Sequence, residues 1–254
     1  MKKLTFLYLL LFSLTTVINA QKTTVKLEEI WGGAFRTEGL DALRSLKNGT
    51  QYTVLNFDRT TKTSSVDVYD YVSLEKVGTI VTSANLDGIQ NFSSYAFSAD
   101  ESKVLLVTEK ESIFRRSSIG VYYIYDVKSK SLVKISENKI QEPTLSPDNS
   151  KVAYVFENNI YIFDIAKNTT TMITKDGVKN KIINGVTDWV YEEEFAFVRA
   201  FDWNADGSKI AFLRFDETNV PEFSMDVYGT DLYQTQEVFK YLKAGEDNAI
   251  VSLH

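Results

Sequence analysis

Cysteine is absent from the 254 residues, histidine occurs once, as the final residue His254, and there are only three prolines. Without cysteine there is no disulfide, no thiolate nucleophile and no thiolate metal site, so an exported chain must be held by its core alone. A single terminal histidine and the lack of any Gly-x-Ser-x-Gly stretch leave these residues unable to build a serine triad. Spaced histidines for a zinc site are missing as well. The chain is therefore expected to hold no catalytic residue of its own, no metal and no cofactor. A net charge of -6, a pI near 5.0 and no basic stretch exclude nucleic acid and anionic membrane as partners. Proline-rich linkers and low-complexity tracts are also absent, and no internal domain boundary is visible.

What is present begins with Lys2 and Lys3, an apolar run from Leu4 to about Leu14, and small and polar residues as far as Ala20. This is the order of a cleavable secretory signal. Its apolar part is shorter than the ~20 residues that cross a bilayer. Residues 1-20 are thus expected to be removed, leaving a mature chain from Gln21 with no membrane contact. The Met-Lys-Lys start points to a Gram-negative bacterium, with the periplasm or cell surface as destination. The following Val25–Trp31 is compatible with helix or with extended chain.

Three segments repeat one pattern: Phe97–Val107, Leu145–Val155 and Trp203–Leu213. Each is an apolar strand end, a polar turn and a second apolar strand. Asp100, Asp148 and Asp206, with Ser102, Ser150 and Ser208, are placed to close the turns through side chain to backbone hydrogen bonds. A further hairpin follows the first two, at Val121–Ile135 and Asn159–Thr174, and an earlier copy spans Asp67–Ile80. Four strands per unit at a spacing of ~50 residues predict an all-β chain of propeller blades, about four of them. The interval from Asp100 to Asp148 is 48 residues and that from Asp148 to Asp206 is 58, which locates an insertion over Asp176–Phe195.

That insertion carries Glu192, Glu193 and Glu194 among Trp189, Tyr191, Phe195 and Phe197. Carboxylates near apolar walls are costly to ionise unless a cation pairs with them. Because neighbouring residues diverge on a strand and sit about 100° apart on a helix, convergence of Glu193 and Glu194 requires a short helical turn. Glu192 then points elsewhere and is read as structural.

Asp188-Trp-Val-Tyr-Glu-Glu-Glu194 resembles the signature of the dipeptidyl peptidase IV family of serine peptidases. The likeness extends through Ile210–Glu217, Val220–Phe223 and Val238–Gly245. It implies a propeller of about eight blades followed by an α/β-hydrolase domain, so that residues 21-254 would be the amino-terminal part of a partial propeller, with the catalytic domain outside this chain. It further implies that Glu193 and Glu194 grip the free amino terminus of a peptide. An arginine after an aromatic residue, before a strand of the Tyr-x-Ile-Tyr-Asp type, donates in the family to the substrate carbonyl. Phe114-Arg115 before Tyr122–Asp126 matches, which makes Arg115 the candidate and Arg116 a one-residue alternative. The implied activity is removal of dipeptides with proline or alanine second, by an enzyme that can form a homodimer. Val220–Tyr228 is assigned to blade packing and inter-subunit contacts. Two other readings stand beside this one: a prolyl tripeptidyl peptidase of the same wider family, and a non-catalytic peptide- or protein-binding fragment.

Overall fold

Each repeat contains a strand that is apolar on both faces, such as Val104-Leu-Leu-Val107 or Val152-Ala-Tyr-Val155. Side chains alternate between the faces of a strand, so such a run needs an apolar neighbour on each side. The computed structural model, which describes residues 24–37, 39 and 41–254, supplies both neighbours. Val104 and Leu106 pack with Val66, Val81, Phe92 and Tyr95. Leu105 faces the other way, against Ile124, Ile140, Val152 and Tyr154. Ala153 and Val155 pack in turn with Ile160, Ile183, Phe201 and Phe215. Three cores lie between successive sheets, and the architecture is that of a partial β-propeller.

The first sheet runs β1 (Leu43–Ser45), β2 (Gln51–Asp58), β3 (Thr63–Asp70), β4 (Lys76–Thr82). The second runs β5 (Ser94–Phe97), β6 (Lys103–Ser112), β7 (Ser118–Asp126), β8 (Leu132–Lys134), and the third β9 (Gln141–Leu145), β10 (Lys151–Phe156), β11 (Asn159–Asp164), β12 (Thr169–Met172). Within these three sheets all strand pairings are antiparallel and join strands adjacent in sequence. The turn aspartates act as expected: Asp100, Asp148 and Asp206 accept from the N–H of Ser102, Ser150 and Ser208 at 3.0, 3.1 and 2.8 Å. The bond from the Ser102 N–H, helped by the Ser98 and Ser102 hydroxyls, pulls the Asp100 carboxyl down to about 2.

In the fourth sheet the first strand is broken in two. β13 (Ile182–Asn184) pairs with the far end of β15 (Ile210–Asp216), and β14 (Phe201–Trp203) with its near end. Between them the chain leaves the sheet, and this excursion holds the glutamates of the expected insertion. It departs at Gly185, whose φ is +81° and where a Cβ would lie 2.7 Å from Ile160 Cγ1. Only glycine satisfies both demands.

After β15 come β16 (Glu222–Val227) and β17 (Thr235–Lys240), which among the described residues pair only with each other, and then β18 (Ile250–Leu253) on the free edge of β15. The Val220–Tyr228 segment, expected to pack within a blade, is instead one side of a two-stranded arm. Its Phe223 packs on Phe239 and Tyr241 at ring distances of 6.0 and 5.6 Å, so the arm supplies its own apolar contacts.

The described residues up to Asp41 form a unit of their own, distinct from Ala42–His254. There α1 (Leu27–Trp31) resolves the helix-or-strand ambiguity in favour of helix, with Glu29 Oε2 accepting from the Lys26 N–H at 2.9 Å. The expected signal, residues 1-20, lies outside the described residues.

Candidate functional site

The excursion contains α2 (Trp189–Phe195), seven residues long. Asp188 is its N-cap, and its Oδ1 accepts from the Tyr191 N–H at 2.9 Å. The helix stops at Ala196, which adopts the left-handed conformation with φ +60°. One face is held by Tyr191, whose ring lies 5.0 Å from that of Phe215 in the core. A helical turn around that fixed face presents Glu192, Glu193 and Glu194 in three directions.

Glu192 goes inward and is 1% exposed. Its Oε1 accepts from the backbone N–H groups of Arg116 and Ser117 at 2.7 and 2.9 Å, seventy-six and seventy-five residues away in sequence. Two N–H donors converging on one carboxylate oxygen satisfy a buried charge well. They also fix the loop between β6 and β7 to the helix of the fourth blade. The same loop is closed by the Ile113 N–H on Ser117 O at 2.9 Å and is backed by the arm, where Phe114 lies 5.9 Å from Phe239.

Arg115 sits on that loop. Its Nε lies 2.9 Å from Oε2 of Glu193 and 3.3 Å from Oε1. The Arg115 side chain is 72% exposed and that of Glu193 only 17%. Glu194 is exposed and makes no hydrogen bond or ion pair among the described residues. Of the three residues singled out in the sequence, the fold thus pairs Arg115 with Glu193 and leaves Glu194, the next residue of α2, exposed and without a partner among the described residues. Arg116 contributes its backbone N–H to Glu192. Neither the burial of Glu192 nor its reach across two blades was readable from sequence, where it is read only as structural and directed away from Glu193 and Glu194.

Behind the helix lies a cavity of ≈ 630 Å³ lined by Phe114, Asp188, Trp189, Glu192, Glu217 and Phe239, among others. Glu193, Glu194 and Arg115 do not line it. Burial, together with the charge of Asp188, pushes the Glu217 carboxyl up to about 7, against the pull of Lys240. Burial also raises Asp188, against the Tyr191 N–H bond. A smaller cavity of ≈ 180 Å³ is lined by Arg44, Tyr95, Lys110, Tyr122 and Glu142, where burial pushes the Tyr122 hydroxyl up to about 12, with the Glu142 charge adding to it.

Comparison with known proteins places this arrangement in context. Residues 98–254 match the family described as the dipeptidyl peptidase IV N-terminal region. A probable dipeptidyl-aminopeptidase B of Chaetomium globosum is 30% identical over 270 residues, covering 94% of this chain and 29% of that protein. Human prolyl endopeptidase FAP is 35% identical over 178 residues, 69% of this chain and 23% of the relative. The crystal structure of Porphyromonas gingivalis dipeptidyl peptidase 4 superposes with a TM-score of 0.82 at 38% identity, covering 91% of this chain and 33% of that one. The chain therefore spans a third or less of the length of the relatives it matches.

Proposed function

This chain belongs to the dipeptidyl peptidase IV family, within its N-terminal region, and on that premise we propose that it is the substrate-binding part of an exported serine exopeptidase. The enzyme would remove dipeptides with proline or alanine second from peptides with a free amino terminus. The observation that carries this reading is the Arg115 to Glu193 ion pair, with Glu194 the next residue on the same short helix and unpaired among the described residues.

A peptide amino terminus has a reference pKa near 8 and is mostly a cation at neutral pH. Its three N–H donors suit two carboxylates, each bond contributing roughly 1.5 to 3 kcal/mol when partly desolvated. A blocked terminus offers no charge and would leave two acids facing each other, so the pair selects as well as binds. Arg115, already turned toward Glu193, offsets their repulsion in the free protein and has donors left for the first substrate carbonyl. The chain advances at most ~3.3–3.6 Å per residue, so an ammonium held here sets the bond two residues on at about 7 Å. The attacking serine belongs, in this reading, to an α/β-hydrolase domain outside these residues.

Adjacent glutamates favour the dipeptidyl over the tripeptidyl reading, which needs its ammonium anchor one residue further out. The start Lys2-Lys3 and the apolar run to Leu14 support export to the periplasm or cell surface. The exposed Phe223, Met225, Val227 and Tyr228 of the arm suit contact with a second copy of the full-length protein.

The test is to incubate the full-length protein with an unblocked peptide carrying proline second and to read the products by mass spectrometry. Loss of two residues is expected. Loss of three points to the tripeptidyl reading, and retention of the peptide without cleavage to a binding module.

A further inference from the structure

We infer that the cavity behind α2 is a second ligand site, separate from Glu193 and Glu194, which takes a primary alkylammonium group through the carboxylate of Glu217. Glu217 is 5% exposed, lines the cavity, and its carboxylate receives no hydrogen bond and no ion pair among the described residues. Its backbone, by contrast, is fully used: its N–H donates to Lys181 O at 2.8 Å and its carbonyl accepts from the Val220 N–H at 3.1 Å. The backbone of Glu217 is thus fixed at the wall of the cavity, and its side chain borders that space. Buried carboxylates are ordinarily satisfied, and one left without a donor in a cavity of ligand size marks a binding site.

The surrounding groups define the ligand. Lys240 and Lys179 also line the cavity, but Lys240, the cation that lowers the Glu217 carboxyl, spends its Nζ on Val220 O at 2.8 Å and lies 3.7 Å from Glu222. Asp188 and Asp216 add negative charge around Glu217. Asp188 also lines the cavity and has only Oδ1 engaged, by the Tyr191 N–H. Among the described residues no group of three acids or histidines is arranged to hold a metal. Two separate carboxylates suit the three divergent donors of an ammonium, whose charge is concentrated on one compact group. Trp189, Phe114 and Phe239 supply aromatic walls for the alkyl stem and for the cation itself. The carboxyl raised to about 7 is the behaviour of an acid waiting for such a partner.

An alkylammonium could come from a free amine or from a lysine side chain, and two probes separate these sources. Butylamine and Nα-acetyl-lysine amide, which has no α-ammonium, are titrated calorimetrically into the full-length protein at about pH 8, where both are cations. In full-length protein carrying Glu193→Gln and Glu194→Gln, which silences the acids proposed to hold a peptide amino terminus, one-to-one binding is expected, weakened about tenfold or more when Glu217→Gln is added, as for loss of a charge-assisted hydrogen bond. Binding of both probes assigns the site to lysine side chains, and of butylamine alone to free amines. At about pH 6, below the Glu217 carboxyl's value of about 7, the infrared band of the protonated acid should disappear as butylamine binds the unmutated protein, a readout independent of any variant. Absence of saturable binding in that double variant, or equal binding with and without Glu217→Gln, overturns the inference.

Discussion

Arg115 and Glu193 meet at 2.9 Å across seventy-eight residues of chain, and they do so because Glu192, next to one of them, holds the backbone beside the other. Three consecutive acids thus divide their work. One is spent inward on holding a loop, one is paired at the rim, and one is left open.

Replacing Glu193 or Glu194 by glutamine keeps the shape and removes the charge. In the full-length enzyme each change should lower kcat/KM on an unblocked Gly-Pro substrate by about 10- to 150-fold, the range of one charge-assisted hydrogen bond. Steady-state kinetics decide it, and an unchanged kcat/KM in either variant would count against the ammonium anchor.

Glu192 separates holding a loop from binding a substrate. Only its Oε1 accepts, from the Arg116 and Ser117 N–H groups. Glu192→Gln retains an oxygen acceptor and should fold with a modest loss. Glu192→Ala leaves two buried donors unmatched, at about 1–3 kcal/mol each. The alanine variant should therefore show both a lower denaturation midpoint and a raised KM as Arg115 loses its position. A raised KM at unaltered stability would contradict the role assigned to Glu192.

Glu217 gives stability a pH dependence of defined sign. Its carboxyl titrates near 7 in the folded protein against a reference of 4.5, so the folded state binds more protons in that interval. Stability from this group is complete below about 4.5 and is lost as pH rises toward about 7. Glu217→Gln has no charge to bury, so its Tm advantage over the unmutated protein should grow by a few degrees between pH 4.5 and 7 and stay constant above. Thermal scans at a series of pH values check this, and an advantage independent of pH would contradict it.

Gly185→Ala tests the exit of the chain from the fourth sheet. A Cβ there meets Ile160 Cγ1 at 2.7 Å with φ at +81°. Overpacking and the left-handed backbone together should cost about 2–4 kcal/mol, measured by urea denaturation. A variant as stable as its parent would show that the excursion is anchored otherwise.

Much of the fold was legible because a propeller repeats its local chemistry. The Asp100, Asp148 and Asp206 turns and the doubly apolar strands after them mark each blade without knowledge of its neighbours. The helical turn expected under Glu193 and Glu194 is present as α2, because neighbouring residues on a strand would face opposite ways. The arm was not legible, since Phe223, Met225 and Val227 alternate as a blade strand does and only their pairing with β17 reveals that they stand apart. Nor could the sequence reveal Glu217 as a buried acid without a partner. Its position between Asp216 and Thr218 reads as an ordinary polar turn, and its burial comes from elements distant in the chain.

The most direct test of the central claim compares one substrate with its own blocked form. The full-length protein is assayed on a Gly-Pro arylamide and on the same compound N-acetylated, before and after Glu194→Gln. The account predicts cleavage of the free form, rejection of the acetylated one, and a narrower gap between them in the variant. Equal cleavage of both forms by the unmutated protein would contradict an ammonium anchor at Glu193 and Glu194.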